Sequence, residues 1–486
     1  MRDIPRNEVE QRISSENPWW TSQGESPLPF ADLPRRSYVE IFLPLIQQRS
    51  VRRAVLLMGP RRVGKTVLLH HVVAALIAAG IPSRRICYIS VDHPLYTLSG
   101  LSDLLDAYGS ASGIDYRRED CFILFDEIQY LRQWEVHLKT LVDEYANLKI
   151  VASGSAAAAL RLRSAESGAG RITDFLLPPL TFHEYLKLLN QDDLIQPTGI
   201  EHGYEWYDSA NIAALNSRFL DYLNYGGYPE VALSREIQRD PARFIKSDII
   251  DKVLLRDLPA LYGIQDIPEL NYLFTTLAFN TAGEISLEAL SKRSGVAKNT
   301  IKRYIEYLEA AFLIKVVHRI DRNARRFQRA NYFKVYLTNP SIRSALFAPV
   351  TETSQDVGSL AETAIFAQWF HSPQSSLHYA RWQGGEVDIV FLGHQQKPAW
   401  AVEVKWSDRF VDAPGELREL LAFCRENGLE RVTVTTKTIR EERTVSGVMV
   451  NFVPASIYCY TVGRNLARHR QTIASAATTA KEPNST

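Results

Sequence analysis

The octapeptide GPRRVGKT, Gly59 to Thr66, constrains this chain more than any other feature. Its two glycines let backbone N–H groups turn inward around phosphate oxygens with no Cβ in the way. An apolar run, AVLLMG, leads into it and a long apolar helix pattern follows. The loop therefore reads as the turn from a buried strand into a helix whose positive end faces a phosphate. The spacing fits G-x-x-x-x-G-K-[ST], in which Lys65 reaches the β and γ phosphates of ATP and the Thr66 hydroxyl faces Mg²⁺. Gly59, Pro60, Arg61, Arg62, Val63, Gly64, Lys65, Thr66 and Val67 are the expected nucleotide contacts.

Three further runs, RICYISVD, CFILFDE and KIVASGS, are apolar almost throughout rather than alternating. That is the mark of a parallel sheet covered on both faces, and helical segments between the runs give repeated β-α units. CFILFDE places Asp126 and Glu127 at the exit of a buried strand. Asp126 there is expected to hold Mg²⁺, and Glu127 to orient the attacking water. KIVASGS ends in Ser153 and Ser155, candidates for sensing the γ-phosphate. Arg161, Arg163 and Arg171 follow, and Arg171 is favoured as an arginine finger acting on a neighbouring subunit's nucleotide. A homo-oligomer is left open on that ground.

At 486 residues the chain is too long for one hydrophobic core. A formal net charge of +1 rules out a generally basic nucleic-acid coat, so any contact with DNA must come from local patches. The four cysteines form no CxxC pair, which suits a reducing cytoplasm. The N-terminus has no apolar signal core. The most membrane-like stretch, Val67 to Ile81, falls short of the roughly 20 apolar residues a spanning helix needs. A soluble protein is expected.

Downstream, Ile285 to Ile320 has the rhythm of a helix-turn-helix, with Ser294-Gly295 as the turn. The second helix carries Lys298, Lys302 and Arg303 near its start, the end that enters the major groove in DNA-binding modules. The strand LIKVVHRI then leads to a hairpin whose tip carries Arg322, Arg325, Arg326 and Arg329, suited to neutralising DNA phosphates. Further on, Glu362 sits on an apolar helix face, Asp388 in one strand, and Glu403 and Lys405 in the next. Residues i and i+2 of a strand share a side, so Glu403 and Lys405 converge. Glu362, Asp388 and Glu403 are candidate Mg²⁺ ligands, with Lys405 placed to steady the attacking water. A lone [DE]-x-K carries little weight, since about three are expected by chance at this charged content; the helix-Glu, strand-Asp, strand-Glu-x-Lys order is far more specific.

Taken together, the chain resembles the prokaryotic AAA ATPases that join a P-loop domain to a C-terminal region of restriction-endonuclease-like fold. GPRRVGKT, ILFDEIQYL, VASGS, PPLTFHEYL and NYGGYPEV carry the N-terminal likeness; GSLAETAIF, GGEVDIVF and AVEVKW carry the C-terminal one. The resemblance implies ATP binding and hydrolysis, a winged-helix segment, and a PD-(D/E)xK-like core in which Asp388, Glu403 and Lys405 take the motif positions. Val387 stands where that motif has proline, and KVYLTNP ends in Thr338-Asn339 where an acidic residue is common. The expected class is α/β, an AAA-type P-loop parallel sheet with helices on both faces, then a helical and winged-helix segment and a small α/β restriction-endonuclease-like domain. The expected boundaries are an arm at 1–50, the ATPase domain at 51–235, the lid and winged helix at 236–334, the nuclease-like domain at 335–470 and a disordered tail at 471–486. An inserted loop is expected near 190–208. The functional expectation is an ATP-dependent protein acting on DNA, as a metal-dependent nuclease in genome defence or mobile-element maintenance. The alternative is a DNA-binding regulator or protein-interaction switch whose nuclease-like domain does not cut.

Overall fold

The computed structural model describes residues 5–21, 28–96, 99–155, 170–201, 203–325, 331–372, 377–393 and 395–479, without the side chains of 473–479. The chain divides into two compact units, Met1–Leu177 with His469–Thr486, and Pro178–Arg468.

The first unit is built on five strands, β1 (Ala54–Met58), β2 (Ile86–Ser90), β3 (Cys121–Asp126), β4 (Leu148–Gly154) and β5 (Ile172–Leu176). They pair in the order β2-β3-β4-β1-β5, every pair parallel. β1, β3 and β4 are buried along their whole length, as their unbroken apolar runs require of a sheet covered on both faces. Its described helices include α1 (Arg6–Glu16), α2 (Tyr38–Gln47), α3 (Lys65–Ala78), α4 (Leu101–Ser112) and α5 (Trp134–Glu144). The described residues before β1, expected as an arm, include helices α1 and α2 and contribute to the core of this unit. Val9, Ile13, Trp19 and Trp20 are buried in this unit, because an aromatic pair and an apolar helix stripe find cover there.

The second unit carries a nine-stranded sheet in the order β15-β16-β14-β13-β12-β11-β9-β10-β8. Its strands are β8 (Glu284–Ser286), β9 (Ile314–Ile320), β10 (Tyr332–Leu337), β11 (Leu377–Trp382), β12 (Gly385–Leu392), β13 (Pro398–Glu403), β14 (Arg431–Thr436), β15 (Glu441–Val445) and β16 (Val448–Pro454). The boundary expected at 334/335 falls inside β10. It fails because β9 pairs antiparallel with β10 on one side and parallel with β11 on the other, so the hairpin and the later strands form one sheet. The boundary expected at 235 fails too. The segment PPLTFHEYL lies in the second unit, where helix Phe182–Leu188 starts on a capping box between Thr181 and Glu184 and buries Phe182 and Tyr185 against Phe219 and Tyr222. The stretch expected as an inserted loop is an antiparallel hairpin, β6 (Gln196–Glu201) with β7 (Tyr204–Asp208). Its alternating polar residues hid the strands, which have few apolar positions to show a period. The expected tail is helical as far as Thr479; its small residues suit a helix end, and residues 480–486 lie outside the described chain.

The glycines of NYGGYPEV explain themselves in this unit. A Cβ on Gly227 would lie 2.6 Å from both Asn339 Oδ1 and Ser341 Oγ. Neither can retreat: Asn339 and Ser341 are fully buried, and Asn339 Oδ1 accepts the Ser341 N–H at 2.9 Å. Gly227→Ala is expected to destabilise the protein by about 1–3 kcal/mol, seen as a lower urea midpoint. Gly358→Ala, with nothing within 4 Å of its added methyl, is the control and should leave the midpoint level or raise it.

Candidate functional site

The loop leaves β1 at Met58, and its first residue must be glycine for a steric reason. A Cβ on Gly59 would meet the Leu177 carbonyl oxygen at 2.3 Å, where the Leu177 N–H bonds the Met58 carbonyl at 2.7 Å. Arg62 at φ 63° and Gly64 at φ 92° turn the chain, and α3 begins at Lys65. Val63 is fully buried, and its carbonyl accepts Arg36 Nη1–H at 3.0 Å. The Lys65 ammonium is folded into the loop, donating to the carbonyls of Pro60 at 2.9 Å and Gly59 at 3.1 Å. Arg62 is exposed; Arg61 and Val67 are half-buried.

Parallel pairing puts the ends of β3 and β4 beside this loop, and Asp126 is the meeting point. Its carboxylate is 1% exposed and accepts four donors. Thr66 Oγ1 reaches Oδ2 at 2.6 Å and the Tyr88 hydroxyl reaches the same oxygen at 2.8 Å. Ser153 Oγ and, at 3.1 Å, the Glu127 N–H bond Oδ1. Glu127 stands in the left-handed region at φ 55° and accepts a hydrogen bond from the Gln129 amide. Gln129 Oε1 in turn accepts the Ser155 N–H at 3.2 Å, while the buried Ser155 hydroxyl has no partner among the described residues. Lys65, Thr66, Asp126, Glu127, Ser153 and Ser155 thus come together. Tyr88, Gln129 and Arg36 were missed by sequence reasoning; Gln129, two residues past Glu127, gave the only hint.

Arg171 does not join them. Its carbonyl accepts the Ala54 N–H at the start of β1, the opposite end of that strand from the loop, and its guanidinium holds Asp143 at 2.6 and 2.8 Å. Strand direction, which the run of letters does not show, decides this. Arg161 and Arg163 lie outside the described residues.

In the second unit, Asp388 on β12 and Glu403 on β13 meet Lys405, whose ammonium lies 2.6 Å from Glu403 Oε1 and 3.8 Å from Asp388 Oδ2. Val402 and Val404 enter one apolar cluster and Ala401 the other, so the alternation along the chain is as the pattern implies. A residue the sequence reading did not single out sits at the centre. Lys334, on β10 and nearly inaccessible, reaches Glu362 at 2.9 Å, Glu386 at 2.7 Å and Asp388 at 3.4 Å. Glu362 also accepts the Tyr336 hydroxyl at 2.6 Å. The expectation that Glu362 shares a metal with Asp388 and Glu403 is therefore corrected. Among the described residues no three His, Cys, Asp or Glu side chains group so as to hold a metal ion, and the Lys334 ammonium takes the place between Glu362 and Asp388.

Burial, and then the Asp388 charge, push Glu362 up to about 7 and Glu403 up to about 8. Burial alone would also raise Asp388, but Lys334, Lys405 and the Val404 N–H hold it below its ordinary value. Glu403 Oε2 is buried with no partner among the described residues.

The remaining candidates are on helices Leu287–Ser294 and Lys298–Ala310 and the β9–β10 hairpin. Gly295 closes the first helix at φ 75°. Lys298, Lys302 and Arg303 are exposed on the second; Lys298 lies 3.8 Å from Glu288 and Lys302 4.0 Å from Glu306. Arg322 is committed elsewhere, gripping Glu426 with two nitrogens at 2.7 and 2.6 Å. Arg325 is exposed, and Arg326 and Arg329 lie outside the described residues.

Sheet order and loop together define an AAA-type P-loop fold. A family model described as an AAA domain matches residues 51–186, and one described as a domain of unknown function matches residues 216–354. In sequence the chain is similar to an uncharacterized protein of Methanocaldococcus jannaschii, 26% identical over 72% of this chain and 75% of that one. It is also similar to an uncharacterized protein of Haemophilus influenzae, 26% identical over 63% and 72% of the two chains. Of solved structures, it is similar to the S. cerevisiae Hsp104-ADP complex (13% identity, TM-score 0.30, 57% of this chain and 39% of that one). It is likewise similar to the replication initiator DnaA bound to AMPPCP and single-stranded DNA (15%, TM-score 0.27, 56% and 87%). No helix among the described residues is long and apolar enough to cross a membrane.

Proposed function

We propose that this chain binds and hydrolyses ATP at Gly59–Thr66 and uses that cycle to act on DNA through its second unit. The observation that carries the first part is the Thr66 hydroxyl placed 2.6 Å from the Asp126 carboxylate at the mouth of a glycine-gated loop. Thr66 and Asp126 are the residues that would hold Mg²⁺, and the unpartnered Ser155 hydroxyl fits a missing polar group there. The bound ion would neutralise phosphate charge. Lys65, released from its own loop carbonyls, binds phosphate oxygens at the start of α3, where the helix dipole also favours negative charge. Glu127, oriented by Gln129, accepts the proton of the attacking water.

The DNA reading rests on the helix pair, the Gly295 turn and the β8-β9-β10 strands, a winged-helix order, with Lys298, Lys302 and Arg303 exposed at one helix end. Cutting would fall to Asp388, Glu403 and Lys405, and the orphaned Glu403 Oε2 fits one divalent cation shared with Asp388. A specific observation favours the alternative, a DNA-binding regulator that does not cut: the Lys334 ammonium already sits among three carboxylates of the cluster, within ion-pair distance of each.

Three outcomes check this. Lys65→Ala should lower phosphate release from ATP by at least about 100-fold; wild type with no ATP turnover would end the first part. With Mn²⁺ and ATP, wild type should nick DNA and Asp388→Ala should not, whereas intact substrates throughout would establish the regulator. Replacing Lys302 and Arg303 together by Ala should weaken duplex binding and flatten the log–log salt dependence by about 1.8. Arg322→Ala, its guanidinium being spent on Glu426, should change the slope far less.

A further inference from the structure

The segment before β1 covers the edge of the first unit's sheet, and it does so at the strand beside the site. β2 is an edge strand, whose outward backbone groups need partners. Asn17 supplies them as another strand would: its Oδ1 accepts the Tyr88 N–H at 2.7 Å and its Nδ2 donates to the Tyr88 carbonyl at 2.7 Å. Two residues earlier, Trp19 and Trp20 both donate Nε1–H to the Ile86 carbonyl, at 3.1 and 2.9 Å. Two residues later, the Glu16 carboxylate accepts the Ser90 N–H at 3.3 Å. Every outward-facing residue of β2 is thus fixed by residues 16–20, and Asn17 itself is fully buried.

Tyr88, the residue Asn17 grips, has a second contact. Its ring packs on His70 of α3 with centroids 4.5 Å apart, and Trp19 and Phe30 pack on the same imidazole at 6.0 and 5.2 Å. Its hydroxyl ends on Asp126 Oδ2. Of the two donors to that oxygen, Thr66 belongs to the phosphate loop and would turn its hydroxyl toward the cation. Tyr88 would stay. A carboxylate held by donors on both oxygens cannot rotate, and partners of this outer kind govern how well a ligating group holds its ion.

We propose that Tyr88 is a positioning residue for Asp126, and that residues 16–20 hold it in register, so that the N-terminal segment sets the affinity of the nucleotide site for its divalent cation. The inference rests on the nucleotide reading of Gly59–Thr66 and goes beyond it.

Equilibrium binding of fluorescent ADP to the full chain, in Mg²⁺ and in EDTA, tests it. Wild type should bind more tightly in Mg²⁺. Tyr88→Phe keeps the ring on His70 and should cut that metal-dependent gain roughly tenfold, with affinity in EDTA unchanged. Asn17→Ala should cut the gain in the same direction, roughly threefold, since it moves Tyr88 only through the backbone. Wild type that binds no ADP in either buffer sinks the nucleotide reading itself. Wild type that gains from Mg²⁺ while Tyr88→Phe gains equally overturns the positioning role alone. So does a Tyr88→Phe loss of the same size in both buffers, which would mark damaged folding.

Discussion

A carboxylate buried at the end of a parallel sheet must be satisfied by donors from several strands, and Asp126 makes that requirement into architecture. Its four donors come from α3, β2, β4 and its own successor residue. Leaving such a group short of even one donor costs more than an ordinary hydrogen bond returns. Each of those elements must therefore arrive in register, and the order β2-β3-β4-β1-β5 is what allows it. Open α/β sheets bind ligands outside the carboxyl ends of their strands for the same reason: that is where loops from separate strands converge.

The second unit solves the same problem differently. Glu386 and Asp388 on β12, Glu403 on β13 and Glu362 on a helix are held by two lysines of the chain itself, which supply the compensating charge. Lys334 is the more deeply placed of the two, and burial works against its charge until Glu362 and its fellow carboxylates outweigh that penalty. The lysines satisfy most of the cluster, and the unpartnered Glu403 Oε2 marks where compensation stops. Among the described residues that unpartnered oxygen lies on Glu403, the carboxylate that Lys405 holds through its other oxygen.

What the sequence made legible follows from the range of the forces involved. The phosphate loop, the buried strands and the Glu403–Lys405 alternation are local patterns, and each is visible within ten residues. Lys334 is not, since in KVYL it looks like any strand lysine, and only the pairing of β10 with β9, and β9 with β11, carries it to Asp388. The same non-local pairing erased the boundary expected at 334/335. Asn17, Trp19 and Trp20 were read as arm residues because their partners stand some seventy positions away. Arg171 follows KIVASGS closely in sequence, yet it stands just before β5, at the opposite end of the parallel strands from the loop.

Continuity of the nine-stranded sheet bears on how the second unit would work. The exposed basic helix packs on β9, while β12 and β13 carry Asp388 and Glu403, and hydrogen-bonded strands join β9 to them through β11. Lys334 lies on β10, with β9 and β11 between it and β12 in the sheet order, and contacts Asp388 from the strand that pairs directly with β8. A shift of the helix-bearing strands relative to β12 would first be felt at that ammonium. Lys334 thus links β10 directly to Asp388, and Tyr336 of the same strand reaches Glu362, so both side chains tie the strands beside the helix pair to the carboxylate cluster.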